Sequence, residues 1–363
     1  MRILFVLPCT PFFPSGIVRV QQFFPFLDAA GIGYRWVDFN TPRVQRWLHW
    51  LDRSIFARWR WSNLALRALI HLSGFPYRWL RMAQIWWWAP HYDLVFLQAI
   101  LPPAWFSRAL AWRNPQVVFD YDDALYVRSE KRTAGVIRSA WKVVAGSHAL
   151  FEFARRHNPR TVLIPSSVDV KNYMRREEGH GHTPLRLGWI GSVSTIVQLE
   201  ILAGPLQRLL EKGILVELFL AGTRGRRDLY PRLEGIPILE VETYTNAQIP
   251  QLTTQFDIGV MPLFDTPIER GKCAMKALIY MAGGVPVVSS AVGEAGYVIQ
   301  PGQNGYLARD EQAWATTLEA LIHDPALRAR VGAAGRQTVE SKYSVEVCYH
   351  LLEEYILRPA MGE

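Results

Sequence analysis

Two clusters of residues have the types and the spacing to do chemistry. The first is Val117–Ala124, VVFDYDDA, an apolar run that ends in three carboxylates, Asp120, Asp122 and Asp123. Acids at the carboxyl end of a strand can hold a divalent cation through oxygen, or one of them can hydrogen-bond the hydroxyls of a ligand. As a purely structural device they would cap a following helix. The second cluster lies in Phe256–Asp310, which reads as a strand ending at Pro262-Leu263, a polar loop, and a helix starting near Gly271-Lys272. Free amides and the positive dipole end at a helix start attract anions. Lys272 and Lys276 are four residues apart, so both can project from one helix face. This pattern suits a phosphate; it also suits a solvated lysine pair.

Weaker signals sit at other strand ends. After the apolar run Ile3–Leu7, the loop Pro8–Gly16 ends in Ser15-Gly16, where glycine lets backbone approach a ligand closely. Arg19, one helical turn further on, has the reach for a phosphate. Ser147 and His148 follow Val143–Gly146, and His148 reads as a satisfied surface histidine. His180 and His182 fall in the polar, glycine-containing stretch Met174–Pro184, which reads as a linker with solvated histidines rather than a metal site.

Alternating elements must position these residues. Strands are expected at Ile3–Leu7, Tyr34–Asp38, Asp93–Leu97, Val117–Tyr121, Val143–Ala145 and Thr161–Ile164. Beyond the linker the pattern restarts with Leu185–Ile190, Leu215–Leu220, Ile238–Val241, Ile258–Pro262 and Val285–Ser289. Helices are expected over Val18–Ala30, interrupted or kinked at Pro25, over Val197–Lys212, near 246–255, 272–282 and 311–322, and from Ser344 to Leu357. Such alternation predicts an α/β protein of two Rossmann-like domains facing a cleft, each with a parallel sheet covered by helices. Ligands bind such sheets at the carboxyl ends of the strands. The expected division is 1–175, 184–343, and a last helix, 344–363, crossing back to the first domain.

Composition agrees with this plan. At roughly 150 residues per domain, 363 residues make about two domains. With 50% hydrophobic and 20% charged residues, the chain is not disordered. Its three cysteines are too few and too scattered for a disulfide framework or a cysteine zinc site, and they fit a reducing compartment. No apolar run nears the ~18 residues of a membrane span, and Pro8 cuts the N-terminal run too short for a signal peptide. A cytoplasmic location is expected.

The net charge of +8 is concentrated. Between Thr41 and Pro90 stand eight arginines and eight of the fourteen tryptophans, against the single acid Asp52. Interleaved Arg and Trp suit an anionic membrane surface, with indole at headgroup level and guanidinium on phosphate. Nucleic acid would use the same chemistry, but no nucleic-acid motif accompanies the charge. The plain alternative is a helical core with a solvated basic face.

Several stretches together resemble the retaining nucleotide-sugar glycosyltransferases of family 4, which have the GT-B fold. Phe256–Leu263 is similar to the D-I-G-x-x-P-L strand of that family. Gly271–Val288 resembles a branch with the pattern G-K-C-x-x-K-x-x-x-Y-M-A-x-G-V-P-V-V. Asn304–Leu307 resembles its N-G-[FY]-L turn, Gly188–Ser192 the first strand of the second domain, and Ile164–Asp169 its I-P-N-G-V-D, with Ser-Ser in place of Asn-Gly. The resemblance implies that the second domain binds a nucleotide diphosphate-sugar as donor substrate, through Gly191, Ser192, Gly271, Lys272 and Lys276, with Gly16 contributing from the first. It implies transfer to a hydroxyl acceptor with retention, needing no cofactor and no metal. Asp122-Asp123 stands where the family often has His-Asp, so Asp122 would orient the donor sugar or the acceptor hydroxyl. The family's glutamate pair falls on Gly271 and Ile279, which leaves the nearby Glu269 as a substitute. Glu242 and Tyr244 are placed to meet a base. The acceptor is expected to be a lipid-linked saccharide or glycolipid reached at an anionic membrane surface through 41–90. Competing readings are a sugar-nucleotide epimerase, a non-catalytic GT-B-like binding subunit, and a metal-dependent transferase using Asp120 and Asp122.

Overall fold

The computed structural model describes residues 1–9, 14–40, 75–174 and 181–363. These form two compact units. One comprises Met1–Gly146, Leu150–Ile164 and Tyr349–Glu363; the other comprises Ser147–Ala149 and Pro165–Cys348. Most of the Arg/Trp segment, residues 41–74, and His180 lie outside the described residues.

The first unit is built on six parallel strands: β1 (Arg2–Leu7), β2 (Gly33–Asp38), β3 (Leu94–Gln98), β4 (Val117–Tyr121), β5 (Lys142–Ala145) and β6 (Thr161–Leu163), in the order β2-β1-β3-β4-β5-β6. β3 and β4 are buried along their whole length, as strands covered on both faces must be. Helices α1 (Ser15–Arg19), α2 (Phe24–Ala29), α3 (Phe75–Trp88), α4 (Ala104–Arg113), α5 (Leu125–Ser139) and α6 (His148–Arg155) accompany them. The helix expected over Val18–Ala30 is broken by a 3-10 turn at Gln21–Phe23, and Pro25 opens α2, where a missing N–H costs nothing.

The second unit repeats the plan with β7 (Leu185–Ile190), β8 (Val216–Ala221), β9 (Ile238–Val241), β10 (Ile258–Met261), β11 (Val287–Ser290) and β12 (Tyr306–Ala308), all parallel in the order β12-β11-β10-β7-β8-β9. Its helices are α7 (Ala203–Glu211), α8 (Ile249–Thr253), α9 (Pro267–Arg270), α10 (Met275–Ala282), α11 (Ala295–Val298), α12 (Glu311–His323), α13 (Pro325–Lys342) and α14 (Val345–Leu352). The helix expected over Val197–Lys212 begins as a 3-10 stretch, Ile196–Leu202, and turns α-helical only at Ala203. The turn expected at Asn304–Leu307 feeds the edge strand β12. Strand order reverses between β1 and β3 in one sheet and between β7 and β10 in the other, which marks the carboxyl ends of these strands as the places where ligands bind.

One packing detail fixes the second site. Gly188 of β7 and Gly259 of β10 are partners in register. Together they leave a trough in the middle of the sheet. A Cβ on Gly188 would stand 1.9 Å from the Phe256 ring, and one on Gly259 2.5 Å from the Tyr280 ring. The two rings fill the trough edge to face, 5.7 Å apart. Tyr280 is wholly buried, and its hydroxyl accepts the Ile190 N–H at 3.0 Å. We expect Gly259→Ala to lower stability by about 1–3 kcal/mol through overpacking. Gly296→Ala, whose Cβ meets nothing within 4 Å, should stay within about 0.5 kcal/mol of wild type. Urea unfolding followed by circular dichroism separates the two.

Candidate functional site

In the first unit, the three carboxylates at the end of β4 meet three different fates. Asp120, the fourth residue of the strand, is buried with Arg19. The Arg19 Nε donates to both carboxylate oxygens at 3.2 Å, a second nitrogen donates to Oδ1, and a third donates to the Ile164 carbonyl at 2.8 Å. Arg19 is therefore not held out toward a phosphate, as its position in the sequence suggests. It is the counter-ion that lets Asp120 be buried, and this removes Asp120 from a D-x-D metal pair. Ser15 and Gly16 also differ from expectation: they lie in the first turn of α1 rather than in an open loop.

Asp122 is half-buried and accepts from the Gln98 Nε2 at 3.3 Å. Burial, with Asp123 and Asp120 nearby, pushes its carboxyl up to about 7, against the pull of Arg19. Asp123 is exposed, and its carbonyl accepts the Leu125 N–H at 2.7 Å. The N-cap position of α5 is Ala124 rather than either acid. Asp122 is thus a carboxyl that changes charge near neutral pH at a strand's carboxyl end, a property suited to general acid–base work.

In the second unit the expected helix start is corrected. α9 ends at Arg270, Gly271–Ala274 form a turn, and α10 begins only at Met275, after Ala274 in a left-handed conformation with φ of 52°. Lys272 and Lys276 consequently do not share a helix face. Lys272 lies in the turn and binds Glu269, donating to Oε1 at 2.9 Å with Oε2 at 2.7 Å. Glu269 is already engaged by this pair. Gly271 gives its carbonyl to the Ser147 hydroxyl at 3.0 Å.

Lys276, in the first turn of α10, is the cation left without a carboxylate. Among the described residues it has no ion-pair partner; its ammonium lies over the Trp189 ring, 5.4 Å from the centroid. Burial, and the charge of Lys272, bring it down to about 8, with Glu269 pulling the other way. Trp189 is fully buried, and its indole N–H has no hydrogen-bond partner among the described residues. Gly191 and Ser192 follow β7 at once. Trp189 lies so close beneath Gly191 that a Cβ there would approach the ring to 2.1 Å. The Gly191 carbonyl accepts the Tyr244 hydroxyl at 3.0 Å, so Tyr244 is a brace for this loop. An uncompensated cation, the amides at the start of α10 and a glycine at a strand end are the parts of an anion site.

The structure thus brings Gly191, Lys272, Lys276 and Glu269 into one region of the second unit and draws in Trp189 and Tyr280, which sequence reasoning did not single out. It also adds Glu294, a buried acid that accepts from the His148 backbone and ring. An acid inside an otherwise apolar run, VGEAGYV, was the available signal. His182 is not a solvated linker residue: its backbone N–H and ring both meet the buried Asp257, the ring at 3.0 Å.

Residues 184–324 match the family model described as glycosyl transferases group 1. Sulfoquinovosyl transferase SQD2 of Arabidopsis thaliana is 27% identical over 172 residues, covering 46% of this chain and 32% of that protein. The capsular polysaccharide biosynthesis glycosyltransferase CapM of Staphylococcus aureus is 32% identical over 95 residues, covering 26% of this chain and 25% of its own. The matched stretch therefore spans a third or less of these relatives. In fold, the chain is similar to Anabaena HepE, solved in complex with UDP and glucose, with a TM-score of 0.69 at 16% identity over 98% of both chains. Residues 184–324 therefore carry the glycosyl transferases group 1 pattern, on a chain whose two parallel sheets have the GT-B fold.

Proposed function

We propose that this protein transfers a sugar, with retention and without a metal, from a nucleotide diphosphate-sugar to a hydroxyl acceptor, a lipid-linked saccharide or glycolipid of a cell-surface polysaccharide pathway. The observation that carries the reading is Lys276: a half-buried ammonium with no ion-pair partner among the described residues, at the start of a helix, beside the glycine loop after β7. Folding leaves this charge poorly compensated, and a diphosphate would complete it. The match over residues 184–324 and the glycosyltransferase relatives point the same way. Lys272, Gly191, Ser192 and Gly271 would complete the donor site, with Gly16 and Asp123 as lesser contributors from the first unit. Asp122 would orient or deprotonate a hydroxyl. A non-catalytic binding subunit is the second reading, favoured by the engagement of Glu269 with Lys272 and the apolar Ile279.

Calorimetry with UDP, GDP, ADP and CDP tests the donor site. We expect one of them to bind, and Lys276→Ala to weaken it about tenfold to hundredfold. Because the folded-state value of Lys276 is depressed to about 8, the free site loses its charge as pH rises through 8, so affinity should fall between pH 7 and 9. The same depression means that burial of the charged form costs stability below pH 8. Lys276→Met should therefore melt no lower than wild type while losing the ligand. Binding of no nucleotide at any pH would overturn the reading.

For the first unit, kcat/KM should rise through pH 7 as Asp122 ionises. Asp122→Asn should remove this step and about 10²–10⁴ of the rate. Asp120→Asn should instead cost about 3–5 kcal/mol of stability, by stranding the buried Arg19. Rates should be the same in EDTA; loss there would favour the metal-dependent alternative, and nucleotide binding without turnover would favour the binding subunit.

The membrane reading is supported by the described end of the Arg/Trp segment and by α4 beyond it. Trp79, Leu80 and Trp87 of α3 and Trp105 and Trp112 of α4 are exposed, and Trp79 stacks on Trp105 at 5.0 Å. Neither helix contains an acid. We expect co-sedimentation with anionic but not neutral liposomes, weakened by salt, and reduced at least severalfold in Trp87→Ser/Trp112→Ser. Indifference to anionic lipid would point to an acceptor that is not membrane-bound.

A further inference from the structure

Outside the groups already assigned, the second unit contains a histidine held like a working part. Ser147–Ala149 belongs to this unit. Glu294, 4% exposed, accepts the His148 backbone N–H at 2.8 Å on Oε2 and stands 3.0 Å from the ring Nδ1 through Oε1. The ring lies flat on Tyr297, with centroids 3.6 Å apart and planes 4° from parallel. The carboxylate claims Nδ1–H and the phenol claims one face. The ring therefore has one orientation, with Nε2 as its remaining polar edge, and the side chain is about a third exposed. With Nδ1–H given to the carboxylate, the imidazolium is the form whose second N–H, on Nε2, points away from that carboxylate.

The surroundings say what that N–H would meet. The adjacent Ser147 hydroxyl holds the Gly271 carbonyl at 3.0 Å, one residue before Lys272. Gly293, with φ of 56°, lies so close to the backbone of the same turn that a Cβ would approach the Arg270 carbonyl to 2.6 Å. The segments bearing His148 and Glu294 are therefore both locked to the turn that leads into α10 and Lys276.

We propose that His148, positioned by Glu294, is a further ligand-binding residue whose Nε2–H donates to a phosphate oxygen of the nucleotide diphosphate. This rests on the donor reading above, and the two fail differently. The probes are UDP, GDP, ADP and CDP, each paired with its nucleoside, titrated calorimetrically into the full chain. His148→Ala should weaken the bound diphosphate about tenfold to hundredfold and leave the nucleoside affinity unchanged. Glu294→Gln, which keeps the volume but loses the charge, should weaken the diphosphate severalfold. In protein labelled with ¹⁵N-histidine, the His148 Nε2 resonance should shift on adding the diphosphate and stay put with the nucleoside. This readout survives even where a variant folds poorly. If wild type binds a diphosphate while the His148 resonance and the His148→Ala affinity stay unchanged, the assignment of His148 is wrong and the donor reading stands. If wild type binds no nucleotide, the donor reading fails first. Equal weakening of nucleoside and diphosphate in a folded His148→Ala would show a structural role only.

Discussion

The second unit depends on a place where side chains are missing. Gly188 and Gly259 pair across the two central strands, and only the absence of both Cβ atoms lets the Phe256 and Tyr280 rings lie in the sheet's trough. Because Tyr280 sits that deep, its hydroxyl reaches the Ile190 N–H at the end of β7. That bond ties α10 to the strand whose next residues are Gly191 and Ser192. Helix, strand end and glycine loop are fixed to one another by packing, and Lys276 is carried to its position over Trp189 as a consequence. Precision at a site built on rigid elements comes from such shared constraints.

The two units treat buried charge in opposite ways, and the contrast separates structure from function. In the first, Asp120 and Arg19 are both buried, multiply hydrogen-bonded to each other, and Arg19 is further tied to the Ile164 carbonyl. Such a pair satisfies itself and has nothing left for a ligand. In the second, the half-buried Lys276 has no ion-pair partner among the described residues and lies near another lysine, with the aromatic face of Trp189 against its ammonium, a weaker partner than a carboxylate. An unpaired, partly desolvated cation weakens a fold until something neutralises it. Asp122 lies between these cases, with a titration point that burial and like charges set close to neutral.

Much of this was legible in the sequence, for identifiable reasons. Val117–Tyr121 and Leu185–Ile190 are bounded correctly because strands buried on both faces are continuous apolar runs with polar residues at once beyond them. The helix over 272–282 was located but started three residues early. Nothing local announces that Ala274 adopts a left-handed backbone, a conformation that usually belongs to glycine. The fate of Arg19 was illegible because its partner lies 101 residues away. An arginine one turn after a strand-end loop reads equally well as a phosphate ligand or as a counter-ion, and only the sheet order, which leaves just β3 between β1 and β4, decides between them. His182 was misread for the same reason: its acid, Asp257, is distant in sequence.

The absent glutamates take on a physical meaning once the turn is seen. Position 279 is filled by a buried isoleucine in the core that also holds Tyr280, Met281 and Val287. A carboxylate there would have to be desolvated among these apolar side chains. Position 271 offers only a backbone carbonyl, and Ser147 already takes it. Ligand recognition through side-chain carboxylates is therefore closed at both positions. On the proposed donor reading, the groups left to meet a ligand are cationic or amide in character: Lys276, the amides that open α10, and the imidazole edge of His148. Such a set would select for the most acidic part of a ligand. For a sugar nucleotide that part is the diphosphate, which would leave the sugar to be discriminated by other residues.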